Sequence, residues 1–199
     1  MIKNIIFDVG EVLFGYRWLE MLMDYGMTRE EATEAGNTMF DDELWNVLDR
    51  GTMEMQQVIM EYKQKYPKYR DAIQYFLTHG ELMKVPRPEV WRQVHALKEK
   101  GYKIYLLSNY SEYLFQAHTR DATFLKDLDG AVVSYEVHML KPEEGIYRYL
   151  LEKYNLKPEE SVFLDDRQEN IEGAERVGIK GIRIISEQQL LEEMKQLLG

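Results

Sequence analysis

The feature that most constrains the fold is a short apolar run near the start of the chain, Ile5 to Phe7, which ends at the carboxylate of Asp8. Continuous apolar runs are typical of parallel strands buried on both faces, whereas half-exposed strands alternate between apolar and polar residues. Ligand-contacting groups of open α/β sheets gather at the carboxyl ends of strands, which favours a chemical role for Asp8. A single aspartate at such a place also commonly caps a turn, so the other strand ends must decide between the two interpretations.

Strand and helix patterns alternate along most of the remaining chain, which indicates a parallel sheet with helical crossovers. Between the first strand and Pro86 the pattern is helical, with about four helices and no convincing strand. We therefore predict an α/β fold: residues 1–15 and 86–199 form a Rossmann-like doubly wound parallel sheet, and an all-helical domain, residues 16–85, is inserted after the first strand. The later strands are predicted at Tyr102–Leu107, Ala131–Ser134, Val162–Leu164 and Gly181–Ile185.

Composition excludes several classes of function. The net charge of −10 argues against binding to the nucleic-acid backbone, which requires a basic face. The absence of cysteine excludes disulfides, thiolate metal sites and a thiol nucleophile. No apolar segment has the length of a signal sequence or a membrane span, so we expect a cytoplasmic protein without a membrane partner. The oligomeric state is left open by these data.

Polar residues stand at four places that a parallel sheet would bring to one edge. Each alone is typical of a turn or a helix cap, but together they favour a site, because open α/β sheets bind ligands at that edge. Three carboxylates around one point repel each other unless a hard divalent cation such as Mg²⁺ neutralises them. A carboxylate can also act as a nucleophile, while a hydroxyl and a lysine bind phosphate oxygens. The residues are Asp8, Ser108, Asn109, Lys141, Asp165 and Asp166.

Four motifs, in order along the chain, carry a resemblance to a known family. They are Phe7–Val12, Leu106–Asn109, Lys141–Pro142 and Phe163–Asp166, the last with Asn170 following. On these motifs the sequence resembles the haloacid dehalogenase-like (HAD) superfamily, and its helical insertion resembles the type 1 cap of that family. The first motif, Asp-x-Gly-x-Val, is similar to that of the branch containing sugar-1-phosphate phosphatases and the N-terminal domains of epoxide hydrolases.

The resemblance implies a role for each residue. Asp8 would be the nucleophile and a ligand of Mg²⁺. Asp165 and Asp166 would complete the metal site together with the main-chain carbonyl of Gly10. Ser108 and Lys141 would be catalytic and would bind the phosphate, with Asn109 as a further phosphate ligand.

The sequence departs from the family at Gly10. Phosphatases of the superfamily usually carry a second aspartate there, which acts as general acid and then as general base, a contribution of about 10²–10⁴-fold in rate. Leaving groups of low pKa, such as an anomeric sugar oxygen or an acyl phosphate, could still depart. Glu11 could substitute, although in a regular turn it points away from the direction of its neighbour. Alternatively, turnover has been lost and only binding remains.

The prediction is therefore a Mg²⁺-dependent phosphatase of a small phosphorylated metabolite, such as a sugar phosphate with a good leaving group, acting through an aspartyl-phosphate. The alternative is a non-catalytic HAD-like protein that binds phosphate or a partner. A haloacid dehalogenase ranks lower, because the Asp165–Asp166 pair is explained chiefly by a metal site that dehalogenases do not need.

Overall fold

The computed structural model describes residues 1–199. Five parallel strands form the main sheet, and two three-residue strands form a separate ribbon. The strands are β1 (Asn4–Phe7), β2 (Phe14–Tyr16), β3 (Lys84–Pro86), β4 (Lys103–Ser108), β5 (Gly130–Val133), β6 (Ser161–Asp165) and β7 (Lys180–Arg183). The helices are α1 (Trp18–Asp24), α2 (Arg29–Phe40), α3 (Glu43–Arg50), α4 (Met55–Lys65), α5 (Arg70–Thr78), α6 (Pro88–Glu99), α7 (Glu112–Thr119), α8 (Ser134–Val137), α9 (Glu144–Lys153), α10 (Gln168–Arg176) and α11 (Glu187–Leu198).

The main sheet has the strand order β5-β4-β1-β6-β7, with β1 in the centre. Phe7 at the end of β1 is level with Leu106 of β4 and with Leu164 of β6. The chain order runs outward from β1 in both directions, so β1 marks the topological switch point of the sheet. Ligands of open α/β sheets bind beyond the carboxyl ends of the strands at such a point.

Helices cover both faces of this sheet. Alternate residues of the strands point to opposite faces, so Ile5 and Phe7 contribute to one core and Ile6 to the other. The first core includes residues of α6, α11 and the inserted helices, and the second includes residues of α9 and α10. The predicted doubly wound α/β fold is therefore confirmed.

The region after the first strand differs from the prediction in two respects. It contains five α-helices, α1 to α5, and a short 3₁₀ helix at Gly80–Met83, rather than about four helices. It is also bounded by the antiparallel ribbon of β2 and β3, in which Phe14 lies opposite Pro86. Strands of three residues are too short for a recognisable alternation, and they pair across some 70 positions of sequence, so no local pattern predicts them. The division at residues 15/16 and 85/86 stays a prediction; both points lie in the ribbon.

Local signals explain where the inserted helices begin and end. Thr28 and Glu31 form a capping box at the start of α2, with the Glu31 N–H donating to the Thr28 hydroxyl. Gly51 ends α3 in the left-handed region, with φ of 66°, and a Cβ there would lie 2.9 Å from the carbonyl oxygen of Tyr135. The glycine therefore allows α3 to end directly against α8. None of the helices combines the length and apolar content that crossing a membrane requires.

Candidate active site

Asp8 lies directly beyond β1 and extends its ladder, since its N–H donates to the carbonyl of Leu164 over 2.9 Å. Three donors converge on the carboxylate oxygen Oδ1: the N–H of Val9 at 2.7 Å, the hydroxyl of Ser108 at 2.5 Å and Nζ of Lys141 at 2.8 Å. No donor contacts Oδ2, and the side chain is 11% exposed. The carboxylate is thus held rigidly by one oxygen, while the other remains free for a ligand.

Lys141 connects two of the carboxylates. Its side chain is 1% exposed, and Nζ lies 2.8 Å from Asp8 Oδ1 and 2.6 Å from Asp165 Oδ2. Burial opposes the charge of the ammonium group, but the two carboxylates outweigh this effect and raise the pKa of Lys141. Lys141 is therefore a permanent buried cation in the site.

The side chain of Asn109 holds the main chain of Lys141. Lys141 N–H donates to Asn109 Oδ1 over 2.8 Å, and Asn109 Nδ2 donates to the Lys141 carbonyl over 2.9 Å. The Lys141–Pro142 peptide bond is cis. Both polar ends of the Asn109 amide are thus occupied, and the contact of this residue with phosphate stays a prediction. The function visible in the structure is to position Lys141.

Asp165 and Asp166 follow β6 and have different surroundings. Asp165 is completely buried and accepts hydrogen bonds from the Arg167 N–H, from Asn170 Nδ2 and from Lys141. Asp166 is partly exposed, and burial, followed by the charge of Asp165, raises its pKa to about 6. Asp165 is anchored, whereas Asp166 is available for a ligand.

The three carboxylates form a group that could hold a cation. One oxygen from each of Asp8, Asp165 and Asp166 lies within 4.8 Å of the others. Burial raises the pKa of Asp8 to about 7, against the opposing charge of Lys141. An all-oxygen set of this kind matches the ligand preference of Mg²⁺, and the surplus of negative charge favours a divalent ion.

At Gly10 the structure shows what occupies the place of the missing aspartate. A Cβ atom on Gly10 would lie 2.8 Å from the hydroxyl oxygen of Tyr16 and 3.0 Å from its ring carbon Cε2. The Tyr16 side chain therefore fills the space that a side chain at position 10 would need. The metal contact of the Gly10 carbonyl stays a prediction.

Glu11 is not free to replace the missing acid. Its backbone adopts the left-handed region with φ of 53°. Its carboxylate accepts a hydrogen bond from the N–H of Tyr16 at 3.1 Å and forms an ion pair with Arg87 at 3.2 Å. Glu11 thus stabilises the ribbon, although it lines one cavity together with Arg87 and Asp166.

Sequence reasoning missed a chain of hydroxyl and imidazole groups beside Asp8. The hydroxyls of Tyr16 and Tyr110 are hydrogen-bonded to each other, and Tyr110 Oη lies 2.8 Å from Nδ1 of His118. His118 is fully buried, with Nε2 at 2.9 Å from the carbonyl of Gly80. The one available signal is that His118 stands four residues after Leu114 on the buried side of α7.

Asp49 of α3 is a second missed residue. It is buried, and burial raises its pKa to about 7, although the Ser111 N–H acts in the opposite direction. The charges of Asp8 and Lys141 also act on Asp49, which places the carboxyl near the strand ends. Its position four residues after Trp45, on the apolar side of the helix, is the signal that could have revealed a buried acid.

Comparisons with known proteins agree with this architecture. A family model described as haloacid dehalogenase-like hydrolase matches residues 2–178. A sesquiterpene phosphatase of Aspergillus oryzae is 27% identical over 200 residues, covering 99% of this chain and 97% of that protein.

Solved structures share the fold. A HAD-like family hydrolase from Porphyromonas gingivalis superposes with a TM-score of 0.72 at 22% identity, covering 100% of this chain and 98% of that chain. A HAD family enzyme from Bacteroides thetaiotaomicron, in complex with magnesium and inorganic phosphate, gives a TM-score of 0.70 at 22% identity, covering 92% of this chain and 94% of that chain. With a family match over most of its length and the fold to support it, the chain belongs to the haloacid dehalogenase-like hydrolases.

Proposed function

We propose that this hydrolase is a Mg²⁺-dependent phosphatase of a small phosphorylated metabolite and that Asp8 is its nucleophile. The observation that carries the proposal is the one-sided anchoring of Asp8. Val9, Ser108 and Lys141 hold Oδ1, while Oδ2 has no donor and can attack phosphorus. Attack by a carboxylate gives an aspartyl-phosphate, which water then hydrolyses.

The metal ion would be held by Asp8, Asp165 and Asp166, with the main-chain carbonyl of Gly10 as a further ligand. The support is the group of carboxylate oxygens within 4.8 Å of one another, and the structural neighbour solved with magnesium and inorganic phosphate. When bound, Mg²⁺ would offset the charge of the carboxylates and of the substrate phosphate, so that two anions can approach.

The phosphoryl oxygens would be bound by Ser108, Lys141 and Asn109. Lys141 is buried and charged, and Ser108 already donates a hydrogen bond toward the nucleophile. Both groups can stabilise the negative charge that spreads over the equatorial oxygens in the transition state. Because the Asn109 amide is engaged with Lys141, its contribution would come from its main-chain N–H and from keeping the lysine in place.

The substrates would be those with leaving groups of low pKa. Position 10 carries no carboxyl group, and Glu11 is paired with Arg87. An anomeric oxygen or an acyl phosphate departs without strong protonation, whereas a primary alcohol does not. The non-catalytic alternative is not favoured, because the proposed nucleophile, lysine and carboxylates are all present and a full-length relative is named a phosphatase.

A phosphate-release assay tests the proposal. Sugar 1-phosphates and sugar 6-phosphates are incubated with the protein, with and without Mg²⁺. We expect Mg²⁺-dependent release, faster from the 1-phosphates, and its loss in Asp8→Asn. The matched control Asp71→Asn alters a carboxylate that is 66% exposed on α5 and should behave as the wild type. Phosphate release that survives Asp8→Asn would contradict the assignment of the nucleophile.

A further inference from the structure

A tyrosine hydroxyl occupies the place where the family usually carries its second aspartate. The hydroxyl oxygen of Tyr16 lies 2.8 Å from the position of a Cβ on Gly10, and two carbons of its ring lie at 3.0 and 3.3 Å. Tyr16 belongs to β2 of the ribbon and reaches this place from the other side of the loop that follows Asp8. A polar, proton-carrying group is therefore present where the carboxyl group is missing.

This hydroxyl is the first member of a continuous hydrogen-bonded chain. Tyr16 contacts Tyr110, Tyr110 contacts His118 Nδ1 at 2.8 Å, and His118 Nε2 contacts the carbonyl of Gly80 at 2.9 Å. Tyr16 is half-buried, whereas Tyr110 and His118 are buried. The chain thus runs from the loop that follows the nucleophile into the protein interior and ends at an imidazole.

The carbonyl at the end of the chain determines the direction of every proton in it. A carbonyl oxygen can only accept, so His118 Nε2 carries a proton and donates it to Gly80. In the neutral imidazole Nδ1 must then accept from the Tyr110 hydroxyl. With the Tyr110 proton so engaged, Tyr16 is the donor in the bond between the two tyrosines. The lone pairs of Tyr16 that remain are free to accept a proton from the site.

We propose that, in the phosphatase reaction on which this inference rests, Tyr16 takes the proton of the water that hydrolyses the aspartyl-phosphate, and that Tyr110 passes the charge on to His118. Tyr16 is the catalytic residue of this relay, and Tyr110 and His118 act through it. The neutral state of His118 agrees with the role, because burial lowers its pKa and keeps Nδ1 unprotonated in the resting protein.

The protons and electron pairs of the step balance. The water oxygen bonds to phosphorus, and the bond between phosphorus and the Asp8 oxygen breaks with its electron pair returning to the carboxylate. The water proton moves to Tyr16, the Tyr16 proton to Tyr110, and the Tyr110 proton to His118 Nδ1. After phosphate has left, the imidazolium returns its proton through Tyr110 and Tyr16 to water that fills the site.

Two other acids near Asp8 are poorer candidates for this step. Glu11 is paired with Arg87 and bonded to the Tyr16 main chain. Asp49 is a buried residue of α3, and the atoms nearest to the position of a Cβ on Gly10 all belong to Tyr16, not to Asp49. Only the tyrosine chain combines the position of the missing aspartate with a buried proton acceptor.

Tyr16→Phe tests the relay with p-nitrophenyl phosphate, whose leaving group needs no proton. In a double-displacement reaction, kcat/KM reports the formation of the aspartyl-phosphate, and kcat is limited by its hydrolysis when that step is slow. We expect kcat to fall by about 10²-fold, KM to fall with it, and kcat/KM to stay within about twofold. A burst of about one p-nitrophenolate per site should precede the slow steady state.

Two further variants separate the relay from a structural effect. Tyr102→Phe is the control and removes a hydroxyl just before β4, one that donates to the carbonyl of Leu197 at 2.9 Å and contacts no member of the relay. It should leave kcat unchanged. His118→Gln can still donate to Gly80 and accept from Tyr110 but cannot take up a proton, and we expect kcat to fall by about 10-fold with kcat/KM retained.

The double variant Gly10→Asp with Tyr16→Ala restores a carboxyl group in the vacated space and should recover most of the kcat lost in Tyr16→Phe. Gly10→Asp alone should impair kcat/KM, because its Cβ would collide with Tyr16. Asp8-dependent turnover with an unchanged kcat in Tyr16→Phe would overturn the relay but not the phosphatase assignment. A complete lack of Asp8-dependent turnover in the wild type would overturn both.

Discussion

Two groups of residues flank Asp8, and they keep buried polar atoms stable by opposite means. The charged cluster, defined as Asp8, Lys141, Asp165 and Asp166, places a cation between carboxylates at 2.6 and 2.8 Å. The hydroxyl chain, defined as Tyr16, Tyr110 and His118, is electrically neutral and is satisfied by hydrogen bonds alone. The charged cluster is stable only while its positive and negative charges compensate each other. Removal of one member therefore leaves a buried charge without a partner of opposite sign. The hydroxyl chain loses only one or two neutral hydrogen bonds for each member removed.

The cluster and the chain are suited to different parts of one reaction. Fixed charges stabilise a phosphoryl group whose own charge is large. A neutral chain with mobile protons can accept a proton and return it without the cost of a new buried carboxylate. We therefore expect substitutions in the cluster and in the chain to change the free energy of unfolding by different amounts and with a different dependence on pH.

Lys141→Met should give the largest effect. It leaves Asp8 and Asp165 buried without a cation, and we expect the free energy of unfolding to fall by about 3–5 kcal/mol at pH 8. The loss should be smaller at pH 4, because Asp8 can then be protonated in the folded state. Urea denaturation at the two pH values measures both quantities.

Lys126→Met is the control for this prediction. Lys126 is exposed and forms no ion pair, so its substitution should change the free energy of unfolding by less than about 0.5 kcal/mol. A loss below about 1 kcal/mol in Lys141→Met at pH 8 would contradict the account of the charged cluster.

Asp49→Asn should have the next largest effect on stability, and at pH 8 it should raise the free energy of unfolding instead of lowering it. The folded protein holds the pKa of Asp49 at about 7, above the ordinary value of 3.8, so the folded state binds more protons than the unfolded state between these values. The wild type therefore loses stability as pH rises through this range, and the amide does not. We expect equal stability below pH 4 and a variant that is on the order of 2 kcal/mol more stable at pH 8.

The exposed Asp71 provides the comparison, since Asp71→Asn should change the free energy of unfolding by less than about 0.5 kcal/mol. Thermal unfolding of the three proteins from pH 4 to pH 8 provides the measurement. A variant Asp49→Asn that is less stable than the wild type at pH 8 would mean that the Asp49 carboxylate is charged and paired in the folded protein.

Tyr110→Phe should give the smallest change in the free energy of unfolding of the three substitutions. It leaves His118 Nδ1 without its donor and Tyr16 without its acceptor, so we expect a loss of about 1–2 kcal/mol. Because no charge is removed, the loss should be the same at pH 6.5 and pH 8.5. Tyr102→Phe, which removes one neutral hydrogen bond to the carbonyl of Leu197, is the matched control, and chemical denaturation of both variants measures the difference. A loss as large as that of Lys141→Met would show that the hydroxyl chain carries charge at rest.

The charged cluster could be predicted from the sequence because its members follow predicted strands. The apolar run before Asp8 and the run before Asp165 each indicate a buried strand, and parallel strands bring their carboxyl ends together. The predicted strand at Ala131–Ser134 lies one residue from the observed Gly130–Val133. The inserted region has five α-helices, whereas the sequence predicts about four. The apolar periodicity shows that a segment is helical, but Gly and Pro residues are a less reliable guide to where one helix ends and the next begins.

The hydroxyl chain could not be predicted in this way. Tyr16 lies in a three-residue strand that exists only through its pairing with β3, and Tyr110 and His118 lie on a loop and a helix beyond β4. The hydrogen bonds among these three residues depend on the path of the ribbon and not on any spacing in the sequence. The sequence marks Gly10 as the decisive position, but only the structure shows that Tyr16 fills the space beside it.

The most direct test of the central claim is to trap the phosphorylated protein. The protein is mixed with Mg²⁺ and a ³²P-labelled sugar 1-phosphate or acetyl phosphate, quenched in acid and digested, and the labelled peptide is sequenced. We predict label on the peptide that contains Asp8, none in Asp8→Asn, and more label in Tyr16→Phe than in the wild type. Label on a different residue, or label that persists in Asp8→Asn, would contradict the account.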